Sequence, residues 1–330
     1  MTGPGWDAID GAVRRLYGAA EPKHWGTLIA WALGGPDPLD AVRCWEADGH
    51  WHFVSYGLRA RGFELTFRLA RRPRETAPPE WAVARLQALA RYVFRSGNDL
   101  CAGEHVDLNG ALGGDDGTQL RAVAFTDDPE LGAIDTPHGR VRFVQLVGVT
   151  LDELEAMKDW STEGVLSLLE QRSPKLVTDP ARRSIREDAA LEAEIQAGIA
   201  RDGSSHGAAY VEQLDWSRRK DGSLHLLVGA IAVPDLRRVL RGRIPYGRPF
   251  TLEGAHATVV FRPAGMRART DDLDDDTLVV ELTPEHAEAL HDVLDPRAGR
   301  YHHPAVPDLT IEVEQTEVRD STGDVVRVVG

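Results

Sequence analysis

The sequence contains little cysteine, no long apolar run and no excess of positive charge. Its 330 residues include two cysteines, Cys44 and Cys101, whose separation fits neither a metal site nor a redox motif. The apolar run LIAWAL at 28–33 is far shorter than the roughly 20 residues needed to span a bilayer. The opening MTGPGWDAID does not resemble a signal peptide. We therefore predict a cytoplasmic protein with free thiols.

The charge balance argues against a nucleic-acid partner. Carboxylates outnumber lysine and arginine by 52 to 38, so the formal net charge is -14. Proteins that bind nucleic acid usually carry a basic surface, and this composition predicts none. A protein or peptide partner with basic segments is favoured, with no membrane and no nucleic acid involved. The sequence leaves the oligomeric state open.

The first 205 residues predict a β-rich domain with several helices. A helix opens the chain and ends at Gly18, and a second one begins after Pro78-Pro79 and ends near Gly97. Thr150 and Glu153 have the spacing of a capping box, which predicts the start of another helix. Strands are predicted at LIAWAL, at 42–45, at HWHFVSYGL, at GFELTFRL, at RAVAFT and at VRFVQLVGV, whereas VDLNGALGGDDGT at 106–118 is predicted to be an exposed loop.

GFELTFRL at 62–69 alternates as a half-buried strand does. Its phenylalanines and leucines share one face, and Glu64 and Arg68 lie on the other. We predict that these two residues form an ion pair on a side of the sheet that faces either solvent or a second lobe of the protein. They would support the domain without performing chemistry.

From residue 206 the strand pattern starts again. Strands are predicted at AYVEQLDW, LHLLVGAIAV, HATVVF, TLVVEL and LTIEVE, and Thr283 is predicted to cap a helix that begins at Pro284. The fold class that follows is α+β, with two mixed α/β lobes at 1–205 and 206–330. Each lobe is predicted to be a β-sheet with flanking helices, and a cleft is predicted between the lobes.

Candidate catalytic groups are weak. GSSHG at 203–207 matches the nucleophile elbow G-x-S-x-G, but a helix precedes Ser205 and a strand follows it, which reverses the order that this motif needs. His50 and His52 share a strand face and are interpreted as packing and hydrogen-bonding residues. His286 and His291 are five apart, and so face different sides of a helix. We predict no catalytic residue, no metal and no cofactor.

Seven blocks in the same order resemble the Suppressor of fused family, whose animal members bind Gli transcription factors. They cover about residues 24–262: ADGHWHFVSYGL at 47–58, GFELTFRL, APPEWAVARLQALARYVF at 77–94, DDPEL at 127–131, TPHGRVRFVQLVGVTLDEL at 136–154, LVTD at 176–179 and LRGRIPYGRPFTL at 240–252. The sequence lacks the long insertion of the animal members. Its richness in Ala, Arg, Gly and Asp is typical of a GC-rich bacterium, so a bacterial member is expected.

The resemblance implies a non-enzymatic protein that clamps a partner peptide between its lobes as an added strand. It implies that the main chain of Val123, Ala124, Phe125 and Thr126, the carboxylate of Asp128, and Leu236 and Leu240 from the stretch 233–240 bind the partner. Asp128 would accept a hydrogen bond from a partner His or Lys. The alternative for Asp128 is a cap of the DDP turn.

Bacterial relatives further imply an immunity protein that neutralises a toxin, and the negative charge suits a basic toxin domain. The alternative function is a hydrolase that uses Ser205 or clustered histidines.

Overall fold

The chain folds into two compact units. The computed structural model describes residues 4–29, 31–114, 117–265, 268–274, 276–319 and 324–330. Unit 1 comprises Met1–Met157 with Thr162–Glu194, and unit 2 comprises Lys158–Ser161 with Ile195–Gly330. The division based on sequence falls at 205–206 instead. Both units mix helices and strands, so the predicted α+β class is confirmed.

Unit 1 contains one large sheet with helices. Its helices are α1 (Pro4–Tyr17), α2 (Glu80–Ser96), α3 (Leu151–Asp159), α4 (Thr162–Glu170) and the start of α5 (Ala189–Asp202). Its strands are β1 (Lys23–Gly26), β2 (Ala41–Ala47), β3 (His50–Tyr56), β4 (Phe63–Ala70), β5 (His105–Asp107), β6 (Leu120–Asp127), β7 (Ala133–Thr136) and β8 (Gly139–Thr150).

The eight strands form a sheet with β1 at one end and β5 at the other. The order is β1-β2-β3-β4-β8-β6-β5, and β7 pairs with β8 outside this path. Among the described strands of this sheet, β4 and β8 are the one parallel pair, with Leu65 of β4 paired to Val144 of β8. Strand β4 is therefore central in the sheet, between β3 and β8.

The two faces of this sheet are covered by different helices. On one face, Phe67 of β4 packs 6.2 Å from Phe53 and 6.0 Å from Trp81, measured between ring centroids, beside the buried face of α2. On the other face, Ile9 and Val13 of α1 belong to a second apolar cluster. Both faces of β4 are therefore covered by other elements. Each large apolar side chain buried in this way stabilises the fold by about 1.5–3 kcal/mol.

Unit 2 contains two larger sheets, where one was expected. Its helices are the rest of α5, α6 (Val233–Gly242) and α7 (Pro284–Val293). Its strands are β9 (Ala208–Tyr210), β10 (Leu214–Arg218), β11 (Leu224–Gly229), β12 (Phe250–Glu253), β13 (Thr258–Pro263), β14 (Arg269–Asp272), β15 (Thr277–Leu282), β16 (Gly299–Tyr301), β17 (Leu309–Glu314), β18 (Thr316–Arg319) and β19 (Val325–Val329). The orders are β10-β11-β17-β16 and β14-β15-β13-β12-β9, with a separate β18-β19 pair.

The predicted helix caps are confirmed. The N–H of Thr150 donates to Glu153 Oε2 at 2.9 Å, and α3 begins at the next residue. The Thr283 hydroxyl accepts from the N–H of His286 at the start of α7. Gly97 follows α2 with φ of 78°, a left-handed conformation that glycine adopts without steric cost.

Near the ends of the sheet one strand prediction is wrong, and one loop prediction, of which residues 115 and 116 lie outside the described residues, is only partly correct. LIAWAL is not a strand, because Leu28 and Ile29 lie in a bend, Trp31–Leu33 form a short 3-10 helix and residue 30 lies outside the described residues. The edge strand is β1, just before it. The 106–118 segment is not wholly a loop either, since its first two residues belong to β5. Both misplaced elements lie at sheet edges, where one neighbouring strand is missing and apolar periodicity is least informative.

Both cysteines are free thiols, with Cys44 buried and Cys101 partly exposed. Among the described residues, no helix is long and apolar enough to cross a membrane.

Candidate functional site

Arg68 lies in the core of unit 1, not on a solvated face. Its side chain has no exposed area. One terminal nitrogen donates to both carboxylate oxygens of Asp128, at 2.9 and 3.1 Å, and its Nε donates to Gln145 Oε1 at 2.9 Å. The other terminal nitrogen lies 2.9 Å from Glu130 Oε2 and 3.2 Å from His50 Nε2. A buried cation is tolerated only with such partners, because desolvation costs several kcal/mol per ion.

His52 connects this cation to helix α1. Its Nε2 lies 3.1 Å from Asp128 Oδ2, and its Nδ1 lies 2.8 Å from the Tyr17 hydroxyl. Burial lowers the pKa of His52 to about 4, although Asp128 acts in the opposite direction. The neutral ring therefore donates from Nε2 to the carboxylate and accepts from Tyr17 at Nδ1. Burial also raises the pKa of Tyr17 to about 12, so its hydroxyl keeps its proton.

Asp128 accepts hydrogen bonds with both oxygens. Oδ1 accepts from the N–H groups of Glu130 and Leu131, at 2.9 and 2.8 Å, so the capping role that the sequence left open is present. Oδ2 accepts from the Thr66 hydroxyl at 2.9 Å in addition to Arg68 and His52. Burial alone would raise the pKa of this carboxyl, but the bond from His52 and the charge of Arg68 hold it well below its usual range.

We call these eight residues the Arg68 cluster: Tyr17, His50, His52, Thr66, Arg68, Asp128, Glu130 and Gln145. A carboxylate offers about four acceptor positions, and those of Asp128 are filled by donors of the cluster and by the N–H of Leu131. The Asp128 side chain has no exposed area. Its partner-binding role stays a prediction, and it would require the cluster to open. The substitution Asp128→Lys would place a second cation beside Arg68 in the core. A loss of partner binding in that variant would therefore report a loss of folding.

Glu64 is buried beside a different set of donors. Its Oε2 accepts from the Ser55 hydroxyl, and its Oε1 accepts from the N–H groups of Gly57, Leu58 and Arg59 at 2.9–3.0 Å. Gly57 has φ of 150°, and a Cβ there would lie 2.9 Å from the Leu39 backbone. Burial raises the pKa of Glu64 to about 7, although the four donors act in the opposite direction. Glu64 thus holds the turn between β3 and β4.

The predicted ion pair between Glu64 and Arg68 is therefore wrong. Both side chains are fully buried, and their hydrogen-bond partners are different. The alternation of GFELTFRL predicts the two faces of β4 correctly. It did not reveal that α1 and the Asp128–Leu131 turn cover the polar face.

The predicted main-chain site lies one strand inside the sheet edge. Val123, Ala124 and Phe125 are fully buried, and β6 pairs with β8 on one side and β5 on the other. The N–H of Phe125 donates to Glu104 O, and its C=O accepts from Gly103. A partner strand could bond here only by displacing these pairings. The partner-binding roles of Val123, Ala124, Phe125 and Thr126 stay predictions.

Leu236 and Leu240 lie on the buried face of α6. Neither has any exposed area, and both belong to the apolar core of unit 2. Their predicted contact with a partner is not tested by this placement and stays a prediction.

The candidate catalytic groups are not drawn together among the described residues. Ser205 is exposed in the loop between α5 and β9, and its N–H donates to Trp160 O. One described group has metal-ligand types, Glu288, His291 and Asp292 on α7, but Arg241 bonds to Glu288 and lies 3.7 Å from Asp292. An arginine among these carboxylates supplies the positive charge that a cation would bring.

One sequence signal pointed toward the Arg68 cluster. His50 and His52 of β3 lie on the same face as Thr66 and Arg68 of β4 and as Gln145 of β8, with His52 paired to Arg68 and Thr66 paired to Gln145. The interpretation of the two histidines as packing and hydrogen-bonding residues is confirmed. Tyr17 was missed, because nothing local shows that α1 lies over this face.

The chain is similar in sequence and in fold to known proteins. The family model described as Suppressor of fused protein matches residues 35–183. The human and mouse Suppressor of fused homologs are each 37% identical over 234 residues, which are 61% of this chain and 48% of each relative. The chain thus spans about half the length of the curated relatives that it matches.

Two solved structures are also similar. A crystal structure of Drosophila Suppressor of fused superposes with a TM-score of 0.78 over 94% of this chain and 97% of that chain, and its 23% identity supports the fold alone. A chain of the Sufu-Fu complex crystal structure is 34% identical over 59% of this chain and 97% of that chain, with a TM-score of 0.55.

The fold and its enclosed polar cluster define a two-unit α+β protein whose buried charges hold strands together. With the family model, the 37% identical relatives and the matching fold, the chain belongs to the Suppressor of fused family.

Proposed function

We propose that this chain is a non-enzymatic protein-binding protein, which captures an extended segment of its partner by strand addition. The observation that carries the proposal is the open edge of the unit 1 sheet at β5. The similarity to a chain of a Sufu-Fu complex supports a protein partner. The groove between the lobes, as implied by the family resemblance, stays a prediction.

The hydrogen-bond pattern of β5 leaves one side of the strand for a partner. The C=O of Glu104 accepts from Phe125, and the N–H of Leu108 donates to Arg121 O, so between Glu104 and Leu108 the main-chain N–H and C=O groups of the even-numbered residues face β6. In an antiparallel pair the N–H and C=O groups of the alternate residues, here the odd-numbered ones, point away from the neighbouring strand. The N–H and C=O of Asp107 therefore point toward the open edge.

Strand addition suits such an edge, because main-chain hydrogen bonds supply affinity and alternate side chains supply specificity. In this proposal β6 supports β5 from the inner side of the sheet, because Val123 pairs with Val106 and keeps β5 in place. In this proposal the partner bonds to β5, and the partner-binding roles of Val123, Ala124, Phe125 and Thr126 stay a separate prediction.

The finer proposal concerns the partner. The net charge of -14 favours a basic partner, and an immunity role against a basic toxin domain is the form of it that the family resemblance implies. Charge complementarity of this kind raises the association rate and makes binding sensitive to salt.

The test is affinity purification from the source cells with the wild type, Asp107→Pro and Asp107→Ala, followed by mass spectrometry. Proline removes the outward N–H and places its ring on the edge, while the bonds of the even-numbered residues to β6 remain. Alanine keeps that N–H. We expect Asp107→Pro to recover at least about tenfold less partner than Asp107→Ala, which corresponds to about 1.4 kcal/mol.

Equal recovery by the two variants would contradict strand addition at β5. A basic protein among the lost partners would support the toxin proposal, and an acidic one would contradict it.

A further inference from the structure

The opposite end of the unit 1 sheet is a second open edge. Strand β1 is outermost there and pairs with β2. The N–H of Thr27 donates to Asp40 O at 3.0 Å, so the main-chain N–H and C=O groups of the odd-numbered residues of this strand face β2. By alternation, the N–H and C=O of His24 and Gly26 point outward, and no described residue bonds to them.

An apolar groove runs beside this edge. Its volume is about 650 Å³, and β1, the residues that follow it and α2 line it, with Trp25, Leu28, Ile29 and Val83 as its apolar walls. Leu28 is fully exposed, at 101%, and Ile29 is 54% exposed. A single exposed leucine is ordinary, but adjacent large apolar side chains beside a groove indicate a contact surface.

The charges of the groove favour a cation in its occupant. Arg91 is neutralised by Asp37, whose Oδ1 lies 2.6 Å away. Glu80, at the start of α2, is exposed in the groove, and no described basic group pairs with it. The groove therefore has one uncompensated negative charge, which a basic side chain complements.

We propose that the β1–α2 groove docks an extended segment of a partner protein. The segment adds to β1 as a strand through the main chain of His24 and Gly26. Its apolar side chains pack on Leu28 and Ile29, and a lysine or arginine reaches Glu80. The site is at the other end of the sheet from β5, so this inference does not depend on the function proposed above.

The test uses phage-displayed random 12-residue peptides, selected on the immobilised full-length protein. Gly26→Pro removes the outward N–H and leaves the β1–β2 bonds of the odd-numbered residues, and the φ of Gly26 is outside the left-handed region. Gly26→Ala is its matched control, since its Cβ meets only the exposed His24 side chain, 3.2 Å away. Leu28→Ser removes the apolar wall, and Leu273→Ser, at a 73% exposed leucine of unit 2, is the control.

We expect the enriched peptides to carry alternating apolar residues with a lysine or arginine. They should bind wild type, Gly26→Ala and Leu273→Ser alike, and bind Gly26→Pro and Leu28→Ser at least about tenfold more weakly. Glu80→Gln should lose the preference for basic peptides. The proposal is overturned if nothing is enriched, if Gly26→Pro binds as the wild type does, or if light scattering shows that the wild type is a dimer and Gly26→Pro is a monomer, which would place a second copy of the chain at this edge.

Discussion

Replacing Asp128 by asparagine is expected to lower the free energy of unfolding by about 3–5 kcal/mol, the usual effect of breaking a buried ion pair. The variant keeps the shape of the side chain but removes its charge, which leaves Arg68 with Glu130 as its one carboxylate partner. The amide nitrogen would also face Arg68, His52 or Thr66, which all donate to Asp128 in the wild type. Urea unfolding of the full chain, followed by tryptophan fluorescence, measures this loss.

Asp127→Asn is the matched control for this prediction. Asp127 is the preceding residue and is exposed, so its substitution should change stability by less than about 0.5 kcal/mol. Equal effects of the two substitutions would show that the Arg68 cluster does not hold the sheet together.

The effect of Asp128→Asn should also depend on pH. The folded pKa of Asp128 is depressed below its ordinary value of 3.8, so its stabilisation is present above that value and is lost as the pH falls through the folded pKa. The difference in unfolding free energy between wild type and variant is therefore expected to be constant near neutral pH and to shrink below 3.8. A difference that grows on acidification would contradict the assignment.

Replacing Glu64 by glutamine is expected to cost about 2–4 kcal/mol at a pH well above the folded pKa of about 7, where the side chain is a carboxylate, because hydrogen bonds to a charged acceptor are strong and their donors stay buried. Four donors converge on the carboxylate, three of them N–H groups of consecutive residues at the turn after β3. A glutamine oxygen accepts from some of them, and its NH₂ group faces the others.

Glu212→Gln, at an exposed position in unit 2, serves as the control for Glu64→Gln. Hydrogen exchange of the Gly57, Leu58 and Arg59 amides gives a local measurement, and we expect faster exchange in Glu64→Gln. Unchanged exchange together with unchanged stability would show that the carboxylate does not organise this turn.

These two substitutions bear on how binding experiments on this protein are designed. Asp128, Glu64 and Arg68 all lie in the core of unit 1, so a loss of partner binding on changing them would follow from loss of structure. The variants at Asp107, Gly26 and Leu28 avoid this difficulty, because they alter a strand edge or an exposed side chain and leave the buried cluster intact.

Local patterns in the sequence were sufficient for most elements away from the sheet edges. The capping box at Thr150 and Glu153 and the glycine at the end of α2 placed two helix ends correctly. The same reasoning failed at LIAWAL, whose apolar residues were taken for a buried strand although Leu28 and Leu33 are exposed. Apolar content shows which residues are able to be buried, but the neighbouring chain decides which ones are.

The sequence by itself determined the two-part α+β architecture, the helix caps, the faces of β4 and the family resemblance, because these depend on residues close together in the chain or on ordered blocks of sequence. Only the tertiary structure decided the roles of Glu64, Arg68 and Asp128. Tyr17, His52, Arg68 and Asp128 come together from a helix, two strands and a turn, up to 111 positions apart in sequence. Whether a polar side chain is solvated or buried with partners depends on such distant segments, and local periodicity contains no information about them.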